Sequence, residues 1–159
     1  MSKRKSCAFR ADYAALADTL KTEITIVAIS ASPPGKSKVI VAIWDTGATH
    51  SVITRETAGE LDLTPVDQVM ISGVNSEGMA DVALVHIILP NNVLVTNKRV
   101  TIADIKGADM LIGMDIIGRG DFLVCNSGGK TSFSFVVPPF DDRPDWVEKS
   151  DSLNDNQEQ

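Results

Sequence analysis

The sequence has 159 residues, of which 43% are hydrophobic and 23% are charged, and this balance is typical of one soluble globular domain. The net charge is −6, but the segment from Asp141 onward has seven acidic and two basic residues, so the rest of the chain is nearly neutral. This distribution lacks the basic stripe that nucleic-acid binding needs, and no apolar run approaches the roughly 20 residues of a membrane-spanning helix. We therefore expect neither nucleic acid nor a membrane as a partner.

The N-terminal region, residues 1–22, is interpreted as an arm ahead of the main domain. Its first residues are basic and lack the apolar stretch of a signal peptide, so a cytoplasmic location is expected. Asp12 can cap a short helix that extends to about Lys21, with Leu16 and Leu20 on one face.

Residues 23–140 have the pattern of an all-β domain. The predicted strands are residues 22–30, 38–44, 67–72, 79–89, 93–96, 100–105, 122–125 and 131–137. Short helical turns are predicted at 56–61, capped by Thr54, and from Ile116-Ile117 to Gly118 or Gly120. Many short strands with little helix favour a sandwich or a partly closed barrel. The acidic, polar residues 141–159 are expected to form a disordered tail.

The most informative stretch is Asp45-Thr46-Gly47-Ala48, which follows directly on an apolar strand that ends at Trp44. A carboxylate at the end of a buried strand is costly unless it is hydrogen-bonded, shared or used. Gly47 permits a backbone geometry or a close approach that a side chain would forbid. If the strand is regular, Trp44 points to the face opposite Asp45 and packs in the core.

A second segment, residues 109–117, has the sequence Asp-Met-Leu-Ile-Gly-Met-Asp-Ile-Ile. The two segments together resemble the active-site signature and the hydrophobic-hydrophobic-glycine segment of retroviral-type (retropepsin-like) aspartic proteases, and the resemblance covers residues 23–138. Retroviral members usually have an acidic residue and an arginine, which brace the dimer, where this chain has Thr49 and Met114. Asp115 makes the segment more similar to free-standing bacterial and phage-like members.

The resemblance implies a single retropepsin-like lobe that works as a two-fold homodimer, because the chain has one such aspartate and is too short for two lobes. Asp45 from each copy would form the catalytic pair. Thr46 would hydrogen-bond across the dimer axis, Gly47 would meet the substrate backbone and Ala48 would line the wall. Whether residues 132–137 or the N-terminal strand pair the two copies is left open.

The resemblance also implies a flap over an extended, largely apolar peptide substrate, formed by the glycine-bracketed loop 73–78. The substrate-binding residues expected in the flap and wall are Gly73, Val74, Asn75, Ser76, Ile112 and Gly113. An aspartic mechanism needs no metal or organic cofactor, and none is expected. Two alternatives stay open: a non-catalytic peptide-binding or dimerisation module, and an assembly protein of a mobile element with the same fold.

The remaining candidate ligands are few. Cys7 and Cys125 are far apart and, even with His50 and His86, do not form a recognisable metal-binding pattern. We interpret both cysteines as reduced thiols. His50 is expected to be an ordinary surface histidine near the cleft rim, and His86 an exposed or hydrogen-bonded residue of a strand.

Overall fold

A computed structural model of the chain describes residues 6–29, 35–73, 76–142 and 145–155. The strands of this part are β1 (Cys7–Asp12), β2 (Lys21–Ala28), β3 (Ser37–Trp44), β4 (Val52–Ile53), β5 (Asp67–Gly73), β6 (Ser76–Leu89), β7 (Val93–Ile102), β8 (Met110–Ile112), β9 (Asp121–Cys125) and β10 (Ser132–Val137). Its α-helices are α1 (Arg55–Glu60), α2 (Met114–Ile117) and α3 (Trp146–Asp155).

Six strands form a closed barrel, in the order β2-β3-β8-β4-β7-β6, because β6 also pairs with β2. Strand β5 extends from this ring as a hairpin with β6. The pairs β3–β8 and β4–β7 are parallel, whereas the other ladders of the barrel are antiparallel. The all-β prediction is confirmed, and closure of the ring leaves these six strands without a free sheet edge.

A second sheet, in the order β1-β10-β9, covers the end of the barrel that contains Trp44. Four phenylalanines surround this indole, with ring centroids 5.2 to 5.6 Å from it: Phe9, Phe122, Phe133 and Phe135. The Trp44 Nε1–H donates to the Thr22 hydroxyl over 2.9 Å, so its one polar atom is satisfied. The predicted core position of Trp44 is confirmed.

The helix predicted from Asp12 to about Lys21 is wrong. Asp12 is the last residue of β1, and the segment after it forms no helix because tertiary contacts take its backbone groups. Tyr13 N–H donates to the Thr131 carbonyl, and Ala17 N–H donates to the Thr131 hydroxyl. Residues 7–12 are therefore not part of an arm ahead of the main domain but a strand of it, paired with β10.

The two strands predicted at 93–96 and 100–105 are one strand, β7, which ends at Ile102. The expected break at Asn97 is a β-bulge instead. Asn97 has a φ of 50°, and two residues of β7 lie opposite His86 because the register shifts between Val85 and Ile87. The Asn97 N–H donates to His86 Nδ1 over 3.2 Å, which lets the strand continue through the bulge. His86 is thus a hydrogen-bonded strand residue.

The C-terminal segment differs from the disordered tail that its composition predicts, since residues 146–155 form α3. The Asp145 Oδ1 atom accepts hydrogen bonds from the Val147 and Glu148 N–H groups at 2.9 and 3.0 Å. An aspartate at this position satisfies N–H groups that the first turn leaves without partners, so Asp145 favours a helix that the composition of this segment does not predict.

Removal of the Phe9 side chain should show that β1 belongs to the fold. Phe9→Ala deletes a buried ring that contacts Trp44, Phe133 and Phe135, and we expect the free energy of unfolding to fall by about 4 kcal/mol. Urea denaturation measures this. Leu16→Ala, at a side chain that is 65% exposed, is the control and should change stability by less than about 0.5 kcal/mol. Equal stability of the two variants would contradict the role of β1.

Candidate active site

Asp45 lies at the point where β3 leaves the barrel and enters a tight turn. Its N–H donates to the Ile112 carbonyl over 2.9 Å, and its carbonyl accepts from the Ala48 N–H over 3.2 Å. The Asp45 Oδ1 atom accepts from the Gly47 N–H over 2.8 Å. The residue is half-buried, and its carboxylate is hydrogen-bonded to its own turn, so both the position and the orientation of Asp45 are held by backbone groups.

Residues 112–115 hold the Asp45 turn from behind. The Met114 N–H donates to the Ala48 carbonyl over 2.8 Å, and the Asp115 N–H donates to the Thr49 carbonyl over 3.2 Å. Gly113 has no room for a side chain, since a Cβ atom would lie 2.8 Å from the Ala48 oxygen and 2.7 Å from the His50 carbonyl carbon. The glycine is therefore required by close backbone approach.

Gly47 is also constrained by space. A Cβ atom at this residue would lie 3.2 Å from Asp45 Oδ1, so a side chain would press on the carboxylate that the Gly47 N–H holds.

The Asp45 carboxylate faces a cavity of about 980 Å³. Most of its wall is apolar and comes from the barrel, from β5 and from the segment after β7: Val52, Val69, Met70, Ile71, Val82, Ala103, Ile105 and Leu111. Its polar and charged lining, besides Asp45, is Thr49, His50, Arg99, Thr101 and Asp104. Arg99 is paired with Asp67 at 2.5 Å, and the Asp104 carboxylate lies 3.7 Å from Arg55. An open, mostly apolar cleft with one held carboxylate is suited to bind an extended chain.

The structure brings together only part of the predicted site. Asp45, Gly47 and Ala48 line the cavity, whereas Thr46 is exposed at the tip of the turn. Ile112 and Gly113, expected on the wall, are buried behind the turn, and Leu111 lines the cavity instead.

The predicted flap coincides with the end of the β5–β6 hairpin. Gly73 and Ser76 form its last backbone pair, and Val69 and Ile71 of the same hairpin line the cavity. Val74 and Asn75 lie outside the described residues. His50 is exposed on the cavity rim, where a surface histidine was expected.

Sequence reasoning missed a polar network behind the turn. The Ser51 hydroxyl donates to Asp115 Oδ1 over 2.7 Å and accepts from the Gly113 N–H over 3.1 Å. The Lys98 ammonium forms an ion pair with Asp115 Oδ2, and the two side chains are only 10% and 14% exposed. The one available signal is Asp115, two residues after Gly113, because Lys98 falls between the strands predicted at 93–96 and 100–105.

The pKa of the Asp115 carboxyl lies below its ordinary value of 3.8. Burial, which alone would raise this pKa, is outweighed by the Lys98 ammonium and by the hydrogen bond from Ser51. The Asp115 carboxyl therefore stays ionised to a lower pH than an unperturbed aspartate does.

Comparison with known proteins places the chain in a family. The sequence profile described as gag-polyprotein putative aspartyl protease matches residues 35–119, more than half of the chain. The chain therefore belongs to this family of aspartic proteases. A search of curated protein sequences gives no match.

Among solved structures, a retropepsin-like aspartic protease from Rickettsia conorii is similar at 16% identity and a TM-score of 0.53, covering 86% of this chain and 98% of that one. The EIAV protease in complex with the inhibitor HBY-793 has 22% identity, a TM-score of 0.49 and coverages of 65% and 88%. The retroviral protease-like domain of Ddi1 from Leishmania major has 16% identity, a TM-score of 0.47 and coverages of 74% and 95%. The Rickettsia structure establishes the fold as retropepsin-like, and at this identity the fold alone.

Two absences hold for the described part of the chain. No helix in this part is long and apolar enough to cross a membrane. Within the same residues, no group of three or more His, Cys, Asp or Glu side chains is arranged to hold a metal ion.

Substitution of Gly113 should show that this residue is glycine because a side chain would clash with the neighbouring backbone. Gly113→Ala places a methyl group against backbone atoms of Ala48 and His50, and we expect a loss of about 3 kcal/mol in the free energy of unfolding. Gly59→Ala in α1 is the matched control, since nothing lies within 4 Å of the added Cβ atom. The control should gain about 0.5–1 kcal/mol, and thermal denaturation compares the two. Similar effects from both substitutions would refute the packing explanation.

Asp115→Asn should destabilise the protein by about 3 kcal/mol near neutral pH, because it leaves the Lys98 ammonium buried without a counter-charge. The folded-state pKa of Asp115 is lowered, so its stabilisation is complete above 3.8 and is lost as the pH falls through the lowered pKa. The urea midpoints of wild type and variant should therefore differ at neutral pH and become similar at strongly acidic pH. Asp142→Asn, in an exposed segment, is the control and should have the urea midpoint of wild type at both pH values. If the midpoint of Asp115→Asn were below that of wild type by the same amount at both pH values, ionisation of Asp115 would not be linked to stability.

Proposed function

We propose that this protein is an aspartic endopeptidase that acts as a homodimer, with one Asp45 carboxylate from each copy. The observation that carries the proposal is Asp45, a half-buried residue that lines a cavity of about 980 Å³ and whose carboxylate is held by the Gly47 N–H at 2.8 Å. Family membership in the aspartic proteases supports the same reaction.

The reaction needs a second carboxylate about one water molecule away. Among the described residues, the other acidic residue that lines the cavity is Asp104, whose side chain is 86% exposed and close to Arg55, so it is a poor partner for Asp45. A second copy of the chain supplies an equivalent Asp45 through an isologous interface. Two carboxylates so close share one proton and titrate as a unit.

In the proposed mechanism, one carboxylate of the pair accepts a proton from the attacking water. The protonated partner donates a hydrogen bond to the scissile carbonyl, which becomes a tetrahedral intermediate without any covalent enzyme adduct. The exposed Thr46 is proposed to hydrogen-bond across the dimer axis. Gly47 and Ala48 are proposed to contact the substrate, since both line the cavity.

The sheet order limits how two copies can pair. Strand β10 is central, with β1 on one side and β9 on the other, so residues 132–137 have no free edge to offer. Edge strand β1 carries an Arg10–Asp12 ion pair, and charged edges resist strand pairing. Edge strand β9 exposes Leu123 and Val124 and follows soon after α2, which packs behind the Asp45 turn. We favour β9 as the pairing edge.

The apolar wall supports extended peptides with apolar side chains as substrates. The β5–β6 hairpin is proposed as the flap, with Gly73, Val74, Asn75 and Ser76 at its end, because Val69 and Ile71 of this hairpin line the same cavity. Cytoplasmic location and independence from metals remain predictions. A non-catalytic peptide-binding or assembly role is the alternative that an active-site variant distinguishes.

Asp45→Asn should lower the rate of peptide cleavage by at least about a hundredfold, since it removes the shared proton and the general base. The measurement is cleavage of a mixed peptide library from acidic to neutral pH, with both proteins shown to be folded. Equal cleavage by wild type and variant would exclude the aspartic mechanism. Absence of cleavage by folded, dimeric wild type would favour the binding role.

Mixing the two proteins tests the shared site in the same assay. When an equal amount of Asp45→Asn subunits exchanges freely with wild type, cleavage per wild-type chain should fall to roughly half, because mixed dimers have one functional carboxylate. Unchanged activity after confirmed subunit exchange would show that one Asp45 is sufficient.

A further inference from the structure

We propose that Lys98 is a positioning residue for the peptidase site: it neutralises the buried Asp115 carboxylate and, through Ser51, holds the Asp45 turn in its working geometry. The inference rests on the proposed endopeptidase function and adds to it a residue that is far from the turn in sequence and does not line the cavity.

The bulge in β7 turns the Lys98 side chain towards the interior of the protein. Val93 and Val95 point inward by regular alternation, so an uninterrupted strand would place residue 98 on the outer face. The extra residue at Asn97 reverses the alternation, and Lys98, Val100 and Ile102 become the inward residues. Lys98 is only 9% exposed, and it is the one charged residue among the buried residues that the structure describes.

A buried ammonium is unfavourable unless a counter-charge compensates it, and the counter-charge here is Asp115. Asp115 Oδ2 is itself a buried atom whose compensating partner is the Lys98 ammonium. The Lys98 Nζ atom also lies 3.5 Å from the Asp115 main-chain carbonyl oxygen. The pair therefore fixes both the carboxylate and the start of α2.

The network continues from Asp115 to the active-site turn through short hydrogen bonds. Ser51 is fully buried, and its hydroxyl joins Asp115 Oδ1 at 2.7 Å to the Gly113 N–H at 3.1 Å. Gly113 in turn packs against backbone atoms of Ala48 and His50. A shift of Asp115 would therefore move the backbone that supports Asp45.

The exposed ion pair between Lys38 and Glu60 gives a matched comparison. Lys38 lies on β3, the strand that leads to Asp45, but its side chain is 37% exposed and its partner is in α1, away from the turn. Replacing Lys38 therefore removes a lysine charge and an exposed ion pair without leaving a buried charge unpaired, and it controls for the loss of one lysine.

The test compares Lys98→Met, Asp115→Asn, the double variant and Lys38→Met in steady-state peptide cleavage. Misplacement of the reacting carboxylate should lower kcat of Lys98→Met by about ten- to a hundredfold and leave KM within about twofold. The double variant has no buried charge and keeps an oxygen for the Ser51 hydroxyl, so kcat should recover to within about threefold of wild type. Lys38→Met should retain wild-type kcat.

A folded Lys98→Met protein with wild-type kcat would overturn the proposal, and so would a double variant no more active than Lys98→Met. If Lys98→Met does not fold, Lys98→Gln replaces it, because glutamine keeps a hydrogen-bond donor near Asp115 but no charge. A reduced kcat at unchanged KM in this variant supports the positioning role, and wild-type kcat contradicts it.

Amide hydrogen exchange separates this proposal from the proposed function. Lys98→Met should accelerate exchange at the Gly113, Met114 and Asp115 amides relative to the β2–β3 amides, whether or not the protein cleaves peptides. If wild type shows no peptidase activity, the proposed function fails, and this exchange pattern still decides whether Lys98 holds the turn. Unchanged exchange at these three amides would overturn the positioning role.

Discussion

The contact of Gly113 with the backbone of Ala48 and His50 is the constraint on which the site depends. Because Gly113 has no side chain, the two backbones can approach closely enough for the Met114 N–H to donate to the Ala48 carbonyl. A Cβ atom at this residue would not fit between them. The parallel pairing of β3 and β8 brings these segments together from positions almost seventy residues apart. Asp45 is therefore positioned by a nonlocal backbone junction, and its own turn adds only the final orientation.

The junction is supported on its inner side by polar groups rather than by apolar packing alone. A buried Lys98–Asp115 pair is unfavourable to desolvate, and an apolar pair of similar volume would serve stability equally well. The polar pair instead fixes the orientation of the Ser51 hydroxyl, which donates to the Asp115 carboxylate and accepts from the Gly113 N–H. The mostly apolar cavity wall lies on one side of the turn and the polar network lies on the other, so Asp45 is the acidic residue that the turn presents to the cavity.

The sequence predicted the local features well and the nonlocal ones poorly. Alternation and turn residues located most strands, and Thr54 caps α1 as expected. The helix after Asp12 was wrong because its backbone groups bond to residue 131, which sequence neighbours do not reveal. Ile112 and Gly113 were expected on the cleft wall, yet the register of β8 places them behind the turn and Leu111 in front.

The sequence by itself determined the class of fold and singled out Asp45 as the candidate catalytic carboxylate, because strand periodicity and the Asp45-Thr46-Gly47-Ala48 motif are local properties of the chain. Only the tertiary structure decided which side chains support that carboxylate. The phase of β7 beyond Asn97 depends on the bulge opposite His86, and without it Lys98 would face solvent. Strand register is set by pairing across the sheet, so the one extra residue of the bulge changes which β7 side chains lie behind the Asp45 turn. The alternation of residues along the sequence does not reveal this change.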